Sequence, residues 1–348
     1  MPLIAATMIT RAKTIVIVLA VLAAAVFLFL KFGSSAQINN SGNEEPRQTF
    51  YEAINGNVMA EKSWENRPLA VMVENHPDAR PQSGLSLADI VYETLAEGGI
   101  TRFLAIYQSR DAGQIGPVRS AREYFAQIAD EWGALYAHVG GSNEVIAQIK
   151  KGEYKNLADA NEYVNFDFFP RRKDKLEPHH IFTSTDDLRR LMAFHQFSNT
   201  ASFSPWVFKD DQPATTSVVS KVNFDFSRPG YEVGWEYDPS DNAYRRFQYF
   251  LPHIDELTNR QITAKTVVIQ IVGVTPVPGN PLLSVDMDLD TGGRAIVFQD
   301  GIFIDAAWKK EKGRTRFFDL LNSEIKFNRG AMWIELVPKD KEAKIIWQ

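Results

Sequence analysis

The sequence contains no cysteine among its 348 residues. This excludes disulfide bonds, thiol nucleophiles, cysteine-ligated zinc and lipid attachment through a thiol. The surplus of positive charge that is typical of nucleic-acid-binding proteins is also missing, because the net charge is −5. The first 36 residues hold three bases and no acid, so 35 bases and 43 acids remain for the rest of the chain. We therefore predict no nucleic-acid partner, and any anion-binding site must be local.

Recognisable metal-binding and catalytic motifs are missing as well. The sequence has six histidines but no H-E-x-x-H arrangement. His179 and His180 are adjacent, and adjacent side chains of an extended chain point to opposite sides. We predict no metal site and no cofactor. Because no catalytic motif is complete, enzymatic activity stays an open question and the sequence favours its absence.

The N-terminus contains the longest apolar run. Residues 15–30 are uninterrupted apolar residues that follow Arg11 and Lys13, and a bilayer requires about 20 such residues. Basic residues on this side place the N-terminus in the cytoplasm. We predict a cytoplasmic tail (1–14), a transmembrane anchor (15–32), a polar tether (33–66) and an extracellular body. The alternative is a cleaved signal peptide, with small residues at 34–36, and a secreted protein.

The body is predicted to contain two domains. Residues 67–199 mix short buried strands with amphipathic helices, which is typical of an α/β or α+β domain. Residues 200–216 are rich in Ser, Thr, Pro and Asp, which is typical of a linker. Residues 217–348 show many short alternating runs separated by turn residues, which predicts a mostly antiparallel β domain.

One stretch, residues 98–132, organises the first domain. It opens with Gly98 and Gly99, continues as an apolar strand, and reaches a predicted helix start at Ser120. Glu123 follows three residues later, so the pair predicts a capping box. The helix then carries one continuous apolar face, formed by Ala121, Tyr124, Phe125, Ile128, Ala129 and Trp132.

Two predicted helix starts could bind an anion, because free amides and the helix dipole favour negative charge there. Arg119 and Arg122 flank the first start, and Ser142 after a glycine pair begins the second. The predicted ligand-binding residues are Arg102, Arg119, Ser120, Arg122, Gly140, Gly141 and Ser142. The alternative is that the arginines pair with carboxylates and only stabilise the fold.

A hairpin with a two-residue Gly98-Gly99 turn would place Arg102 diagonal to Glu93 and Glu97 on one face. Acids near an arginine could serve as a base or hold magnesium. If the protein is an enzyme, the candidate residues are therefore Glu74, Asp89, Glu93 and Glu97. A salt-bridged surface is the more ordinary interpretation of such a face.

Several longer motifs resemble those of the YerB-like bacterial envelope proteins. They are RPLAVMVEN (67–75), RPQSGLS (80–86), ADIVYE (88–93), EGGITRF (97–103), IGPVRSAR (115–122), HVGGS (138–142), PHID (252–255), WKK (308–310) and RTRFFD (314–319). The resemblance spans about residues 67–338. It implies a two-part, surface-exposed, membrane-attached protein of Gram-positive-type bacteria with no assigned activity. Relatives are often lipoproteins with an acylated cysteine, and this chain has no cysteine.

The sequence therefore predicts a non-enzymatic envelope protein that is attached to the membrane by its N-terminal helix. Its partner would be an anionic cell-wall component or an envelope protein of wall synthesis. An enzyme acting on a phosphate-linked envelope substrate is the second interpretation, and a scaffold that binds proteins through its β domain is the third.

Overall fold

The computed structural model of the protein describes residues 19–28, 30–31, 50–59, 66–216, 218–279 and 284–348. The chain divides into two compact units, residues 1–48 and residues 49–348. Residues 19–28 and 30–31 are helical, with exposed leucine, valine and phenylalanine side chains. Within the described residues, no helix is long and apolar enough to cross a membrane. The predicted tail, the ends of the predicted anchor and much of the predicted tether lie outside the described residues.

The second unit consists mainly of strands, and the described helices in it are short. The strands are β1 (Phe50–Tyr51), β2 (Val58–Met59), β3 (Leu69–Glu74), β4 (Ile90–Leu95), β5 (Thr101–Tyr107), β6 (Leu135–His138), β7 (Ala158–Asn161), β8 (Val207–Lys209), β9 (Lys221–Asp225), β10 (Glu232–Asp238), β11 (Ala243–Gln248), β12 (Leu251–Pro252), β13 (Ile254–Asp255), β14 (Arg260–Gln261), β15 (Thr263–Ala264), β16 (Thr266–Pro276), β17 (Val285–Asp288), β18 (Gly293–Gln299), β19 (Ile302–Glu311), β20 (Arg314–Asp319), β21 (Lys326–Asn328), β22 (Met332–Pro338) and β23 (Ile346–Trp347). The α-helices are α1 (Glu123–Glu131), α2 (Asn143–Lys151), α3 (Glu162–Asn165) and α4 (Thr185–Phe194).

Most of the longer strands form one mixed sheet. Its order is β20-β19-β18-β16-β22-β4-β5-β3-β6-β7, and β17 also pairs with β16. The pairs β3–β6 and β6–β7 are parallel, whereas β18, β19 and β20 pair in antiparallel fashion. The predicted fold class is confirmed: an N-terminal α/β region precedes a C-terminal region of mostly antiparallel strands.

The two regions share this sheet, because β4 and β22 pair in parallel. A second sheet, in the order β12-β11-β10-β9-β23, is antiparallel throughout. The predicted tether contributes the β1–β2 hairpin and buries Ile54. In the predicted linker, Trp206 is buried. The boundaries at 67, 200 and 217 stay a prediction.

Both faces of the large sheet are covered by apolar side chains. On one face Phe103 of β5 packs against Trp333 of β22, and Trp333 packs against Trp235 of β10, in the core shared with the second sheet. On the other face Phe125 and Trp132 belong to the core beneath α1. All six residues of the predicted apolar face are buried, and four of them lie within α1, whereas Ala121 precedes the helix and Trp132 follows its last residue.

The predicted capping box at Ser120 is wrong. Helix α1 begins at Glu123 after Arg122, and no side chain caps it. Ser120 instead lies in extended chain, because Val139 N donates to Arg119 O at 3.0 Å and Ala121 N donates to Gly140 O at 3.0 Å. The second predicted cap is confirmed: Ser142 Oγ accepts from Val145 N at 3.1 Å.

The predicted register of the β4–β5 hairpin is also wrong. Residues Glu97–Gly99 form a 3₁₀ turn, and Thr94 rather than Leu95 lies opposite Arg102. A shift of one residue moves every side chain to the other face of a strand. Glu93 and Arg102 therefore lie on opposite faces of the sheet instead of sharing one.

Candidate functional site

The candidate site lies at the carboxyl ends of the parallel strands β3 and β6. Residues 117–121 pass between these ends: Glu74 N donates to Pro117 O at 2.9 Å, and Arg119 N donates to Met72 O at 2.9 Å. In α/β sheets, ligands bind beyond the carboxyl ends of parallel strands. The inserted segment therefore carries Arg119 to a position where ligand binding is common.

Arg119 lies beside Glu74, the last residue of β3. The Glu74 carboxylate forms a salt bridge with Arg119 Nε at 2.6 Å and lies 2.7 Å from His179 Nδ1. The side chain of Glu74 is 5% exposed, whereas that of Arg119 is 16% exposed. Arg119 thus reaches solvent while a buried carboxylate balances its charge.

Arg102 and Arg122 converge on a different acid. Glu97 forms salt bridges with Arg102, whose Nη2 lies 3.0 Å from the carboxylate, and with Arg122. Burial lowers the pKa of both guanidinium groups, and the opposite effects of neighbouring charges are smaller. Both arginines are less than a tenth exposed, so they stabilise the turn at Glu97–Gly99 and offer little surface to a ligand.

The glycine pair between β6 and α2 serves close packing. Gly140 has a φ of +58°, and a Cβ there would lie 2.9 Å from the Tyr163 ring. Its amide donates to Asn161 Oδ1 at 3.1 Å. A Cβ on Gly141 would lie 2.8 Å from Val145 Cγ1. The predicted role of these residues as amide donors to an anion stays a prediction, and the Gly140 amide already has a partner.

Two of the four candidate acids lie away from Arg119. Asp89 is fully buried and accepts from Asn55 Nδ2 and from the amides of Gln108 and Ser109. Glu93 lies on the opposite face of the sheet and pairs with Arg246. The structure therefore places Glu74 and Glu97 near the predicted arginines but not Asp89 and Glu93.

A surface pocket of about 560 Å³ adjoins Arg119 and Val139. It is also lined by Arg171, His180, Tyr163 and Phe166. Tyr163 and Phe166 are 71% and 61% exposed. The pocket thus combines guanidinium groups, the carboxylates of Glu162 and Glu177, and exposed aromatic rings beside the glycine pair.

The sequence did not predict these additional pocket residues as site residues. Arg171 lies in the run 165–175, in which three phenylalanines are followed by four basic residues. His180 Nδ1 is buried and has no hydrogen-bond partner among the described residues. The available signal was this block of aromatic residues, followed by basic residues and then by two adjacent histidines.

A larger cleft, of about 800 Å³, lies elsewhere, against Tyr51, Phe203 and Phe208. Glu52 also lines it, and burial, with a smaller contribution from Asp89, raises the pKa of this carboxyl to about 7. The cleft contains none of the predicted ligand-binding residues. We therefore place the candidate site at the Arg119 pocket.

Comparison with known proteins agrees with this architecture. Residues 55–198 match the N-terminal domain, and residues 222–334 the C-terminal domain, of a protein family of unknown function, DUF3048. The chain belongs to the DUF3048 family. The N-terminal match contains Arg119 and Arg171, so the candidate site lies within it.

One curated relative of this DUF3048 protein is the Bacillus subtilis (strain 168) protein named "Putative lipoprotein YerB". The two are 33% identical over 297 residues, which cover 84% of this chain and 87% of the relative. The crystal structure of the YerB protein from Bacillus subtilis is similar at a TM-score of 0.77 and 31% identity. That similarity covers 86% of this chain and 99% of the solved one. The family that the sequence motifs resemble is thereby confirmed.

Proposed function

We propose that this DUF3048 protein is a membrane-anchored binding protein of the bacterial envelope that recognises an anionic wall component. The pocket beside Arg119 carries the proposal, because it presents two arginines and two exposed aromatic rings at one place. Guanidinium groups bind carboxylates and phosphates through paired hydrogen bonds. Aromatic faces are suited to packing against the apolar faces of a ligand. A charged glycan of the wall offers both kinds of group.

Each of these arginines already has a carboxylate partner, and this limits which ligands fit. Arg119 pairs with Glu74, and Arg171 pairs with Glu162. A guanidinium carries five N–H donors, so it can hold its internal partner and a ligand together. The pocket is therefore balanced in charge, which suits a ligand that carries both anionic and neutral polar groups.

The envelope location rests on the named relative and on the N-terminal segment. The relative is named as a lipoprotein, and this chain has no cysteine that could be acylated. We propose that residues 15–32 replace the lipid as the anchor, with the N-terminus cytoplasmic and the body outside. Protease added to intact cells should then degrade the body and leave a cytoplasmic N-terminal epitope intact. Release of the body into the medium would indicate a cleaved segment.

Binding to the wall should depend on the pocket arginines. In detergent micelles, the full-length protein should bind poly(glycerol phosphate) or peptidoglycan fragments saturably in calorimetric titrations. Arg171→Ala, and more strongly Arg119→Ala/Arg171→Ala, should weaken binding by about tenfold or more, since each charge-assisted hydrogen bond contributes about 1.5–3 kcal/mol. Circular dichroism of each variant checks that it is folded.

The matched control is Arg245→Ala/Arg294→Ala. It removes the same charge, and these arginines resemble Arg171 in exposure and in having a carboxylate partner: their side chains are 46% and 41% exposed, against 46% for Arg171. The control should bind like the unmodified protein. An equal loss in the control would reveal non-specific attraction, and no binding by the unmodified protein to either ligand would refute the proposal.

The second candidate function is an enzyme acting on a phosphate-linked envelope substrate. It is favoured by Glu74, a nearly buried carboxylate that lies 2.6 Å from Nε of Arg119, and Arg119 lines the pocket. A carboxylate beside a phosphate-binding arginine could act as a base or hold magnesium. Release of phosphate from pyrophosphate-linked envelope lipids in the presence of magnesium would establish this function. Saturable binding without turnover supports the binding protein.

A further inference from the structure

Two histidines and an aspartate meet beside Glu74, although they come from distant parts of the chain. One ligand atom each from His76, Asp78 and His179 lies within 4.8 Å of the others. The imidazole rings of His76 and His179 stack, with centroids 5.4 Å apart and planes inclined by 16°. We infer that His76, Asp78 and His179 form a binding site for a divalent transition-metal ion of the zinc class. This inference does not depend on the proposed function.

The orientation of His179 supports this inference. Its Nδ1 lies 2.7 Å from the Glu74 carboxylate and 3.4 Å from Arg119 Nη2, and Arg119 Nε lies 2.6 Å from the same carboxylate. A carboxylate can only accept, and its contact with Nδ1 is the shorter of the two, so this geometry favours a proton on Nδ1 and leaves the lone pair of Nε2 for a cation. Metal-bound histidines commonly donate their other ring nitrogen to a carboxylate in this way. Glu74 thus acts as a positioning residue for His179.

The three groups can approach each other as closely as a metal requires. Zinc binds imidazole nitrogen and carboxylate oxygen at about 2.0–2.2 Å, which places ligand atoms of a tetrahedral site about 3.4 Å apart. His76 Nδ1 and Asp78 Oδ2 are already 3.6 Å apart. Their side chains are 37% and 76% exposed, so both can turn towards His179 without disturbing the core.

The local contacts of His76 do not oppose this movement. His76 precedes the 3₁₀ turn Pro77–Ala79, and its Nδ1 accepts from Asp78 N at 3.3 Å. A hydrogen bond of that length is weak, and the ion would replace it. Arg80, the nearest base along the chain, is directed to Asn75 and Gly230 O.

The chemistry of the ligands indicates the kind of ion. Two imidazoles and one carboxylate suit Zn²⁺, whereas Mg²⁺ and Ca²⁺ prefer oxygen ligands alone. Asp78 supplies one negative charge, while Glu74 and Arg119 balance each other. With three protein ligands, a tetrahedral ion keeps its fourth position for water or an anion. The sequence predicts no metal site, and this inference departs from that prediction.

The test is a calorimetric titration of the full-length protein, with any affinity tag removed, against zinc chloride in detergent micelles. We expect one zinc per chain, and an X-ray absorption spectrum that shows two imidazoles and one carboxylate. His76→Ala and Asp78→Asn should each weaken binding about tenfold or more, and Glu74→Gln about 10- to 100-fold. Magnesium chloride should not compete.

The matched control is His195→Ala, because His195 bonds to Asn165 and is not part of the cluster. It should leave the zinc affinity unchanged. His76 and Asp78 are the exposed members, so their variants test the site even if Glu74→Gln disturbs the fold. Absence of saturable zinc binding, or equal affinity in His76→Ala and the unmodified protein, would overturn the inference.

Discussion

Replacing Arg246 by alanine should lower the free energy of unfolding by about 3–5 kcal/mol, because it leaves buried charge without its partner. Arg246 is completely buried and donates to Glu93 and to His253 Nδ1. Its guanidinium carbon also lies 4.7 Å from the centre of the Trp333 ring. The Arg246→Ala variant would lose the ion pair, the hydrogen bonds and the cation–π contact together.

The remaining partners of Glu93 cannot replace this charge. Its Oε1 accepts from Thr101 Oγ1 at 2.6 Å and from Asn75 Nδ2 at 3.1 Å, both neutral donors. Glu335, a second fully buried acid, lies 3.9 Å from Arg246 Nε. The variant would therefore hold two buried acids without the guanidinium that lies between them.

Urea denaturation followed by circular dichroism measures the effect. The matched control is Arg245→Ala, one residue away on the same strand. Arg245 is 46% exposed and pairs with Asp238 at the surface, so its loss should cost about 1 kcal/mol or less. A loss below about 1 kcal/mol in Arg246→Ala would show that the buried network contributes little net stability.

The sequence predicts the local elements well because their signals are local. The apolar face of α1 follows from helical spacing, and the Ser142 cap at the start of α2 follows from residue type. The fold class follows from alternating strand runs in the C-terminal half. None of these predictions requires knowing which distant segments meet.

Predictions that depended on turn geometry or distant contacts failed. The hairpin turn of Glu97–Gly99 uses three residues instead of two. Glu93 therefore lies on the opposite face of the sheet from Arg102 and pairs with Arg246. Sequence spacing could not reveal that partner, because β4 and β11 belong to different sheets. His76 and His179 meet for the same reason, since the chain between them contains strands β4 to β7 and the inserted segment 117–121.

At the candidate site too, local features could be predicted from the sequence, whereas contacts between distant segments could not. Sequence reasoning placed Arg119 beside a helix start at Ser120, whereas the helix begins at Glu123 and Arg119 lies in extended chain next to the end of β3. It could not tell which arginines would be enclosed by carboxylates, because Glu74 and Glu97 reach them through sheet and turn geometry. Only the exposed fraction of each side chain separates Arg119 from the nearly buried Arg102 and Arg122.

The second large effect concerns Glu335 in the same buried network. Burial, and then the negative charge of Glu93, raise the pKa of Glu335 well above its ordinary value of 4.5, while Arg246 acts in the opposite direction. The folded protein therefore keeps Glu335 protonated at pH values at which the unfolded chain ionises it. The cationic Arg246 then pairs with one buried carboxylate, that of Glu93, and the charges of the network are balanced.

The pH dependence follows from this difference. As pH rises above 4.5, the unfolded chain binds fewer protons at this residue than the folded protein does, so stability falls by about 1.4 kcal/mol per pH unit until the folded pKa is reached. Glutamine cannot ionise, and its side-chain oxygen can still accept the hydrogen bond that Trp235 Nε1 donates to Glu335 Oε1 at 3.0 Å. Glu335→Gln should therefore be more stable than the unmodified protein at neutral pH.

The neighbouring His253 gives stability the opposite dependence on pH, so its contribution must be separated from that of Glu335. Burial, Arg246 and Arg80 lower its pKa well below 6.5, so the unfolded chain gains a proton there first and stability falls as pH drops below 6.5. Because His253 is present in both proteins, its contribution cancels in their difference. That difference isolates Glu335.

The free energy of unfolding should be measured by urea denaturation at about pH 5, 6, 7 and 8 for both proteins. The stabilisation by Glu335→Gln should be small at about pH 5 and increase with pH. Glu311→Gln is the matched control, because the Glu311 side chain is 42% exposed and pairs with Lys309 at the surface. A constant difference between Glu335→Gln and the unmodified protein across this range would mean that Glu335 is ionised in the folded core, and that Arg246 is shared between two buried carboxylates.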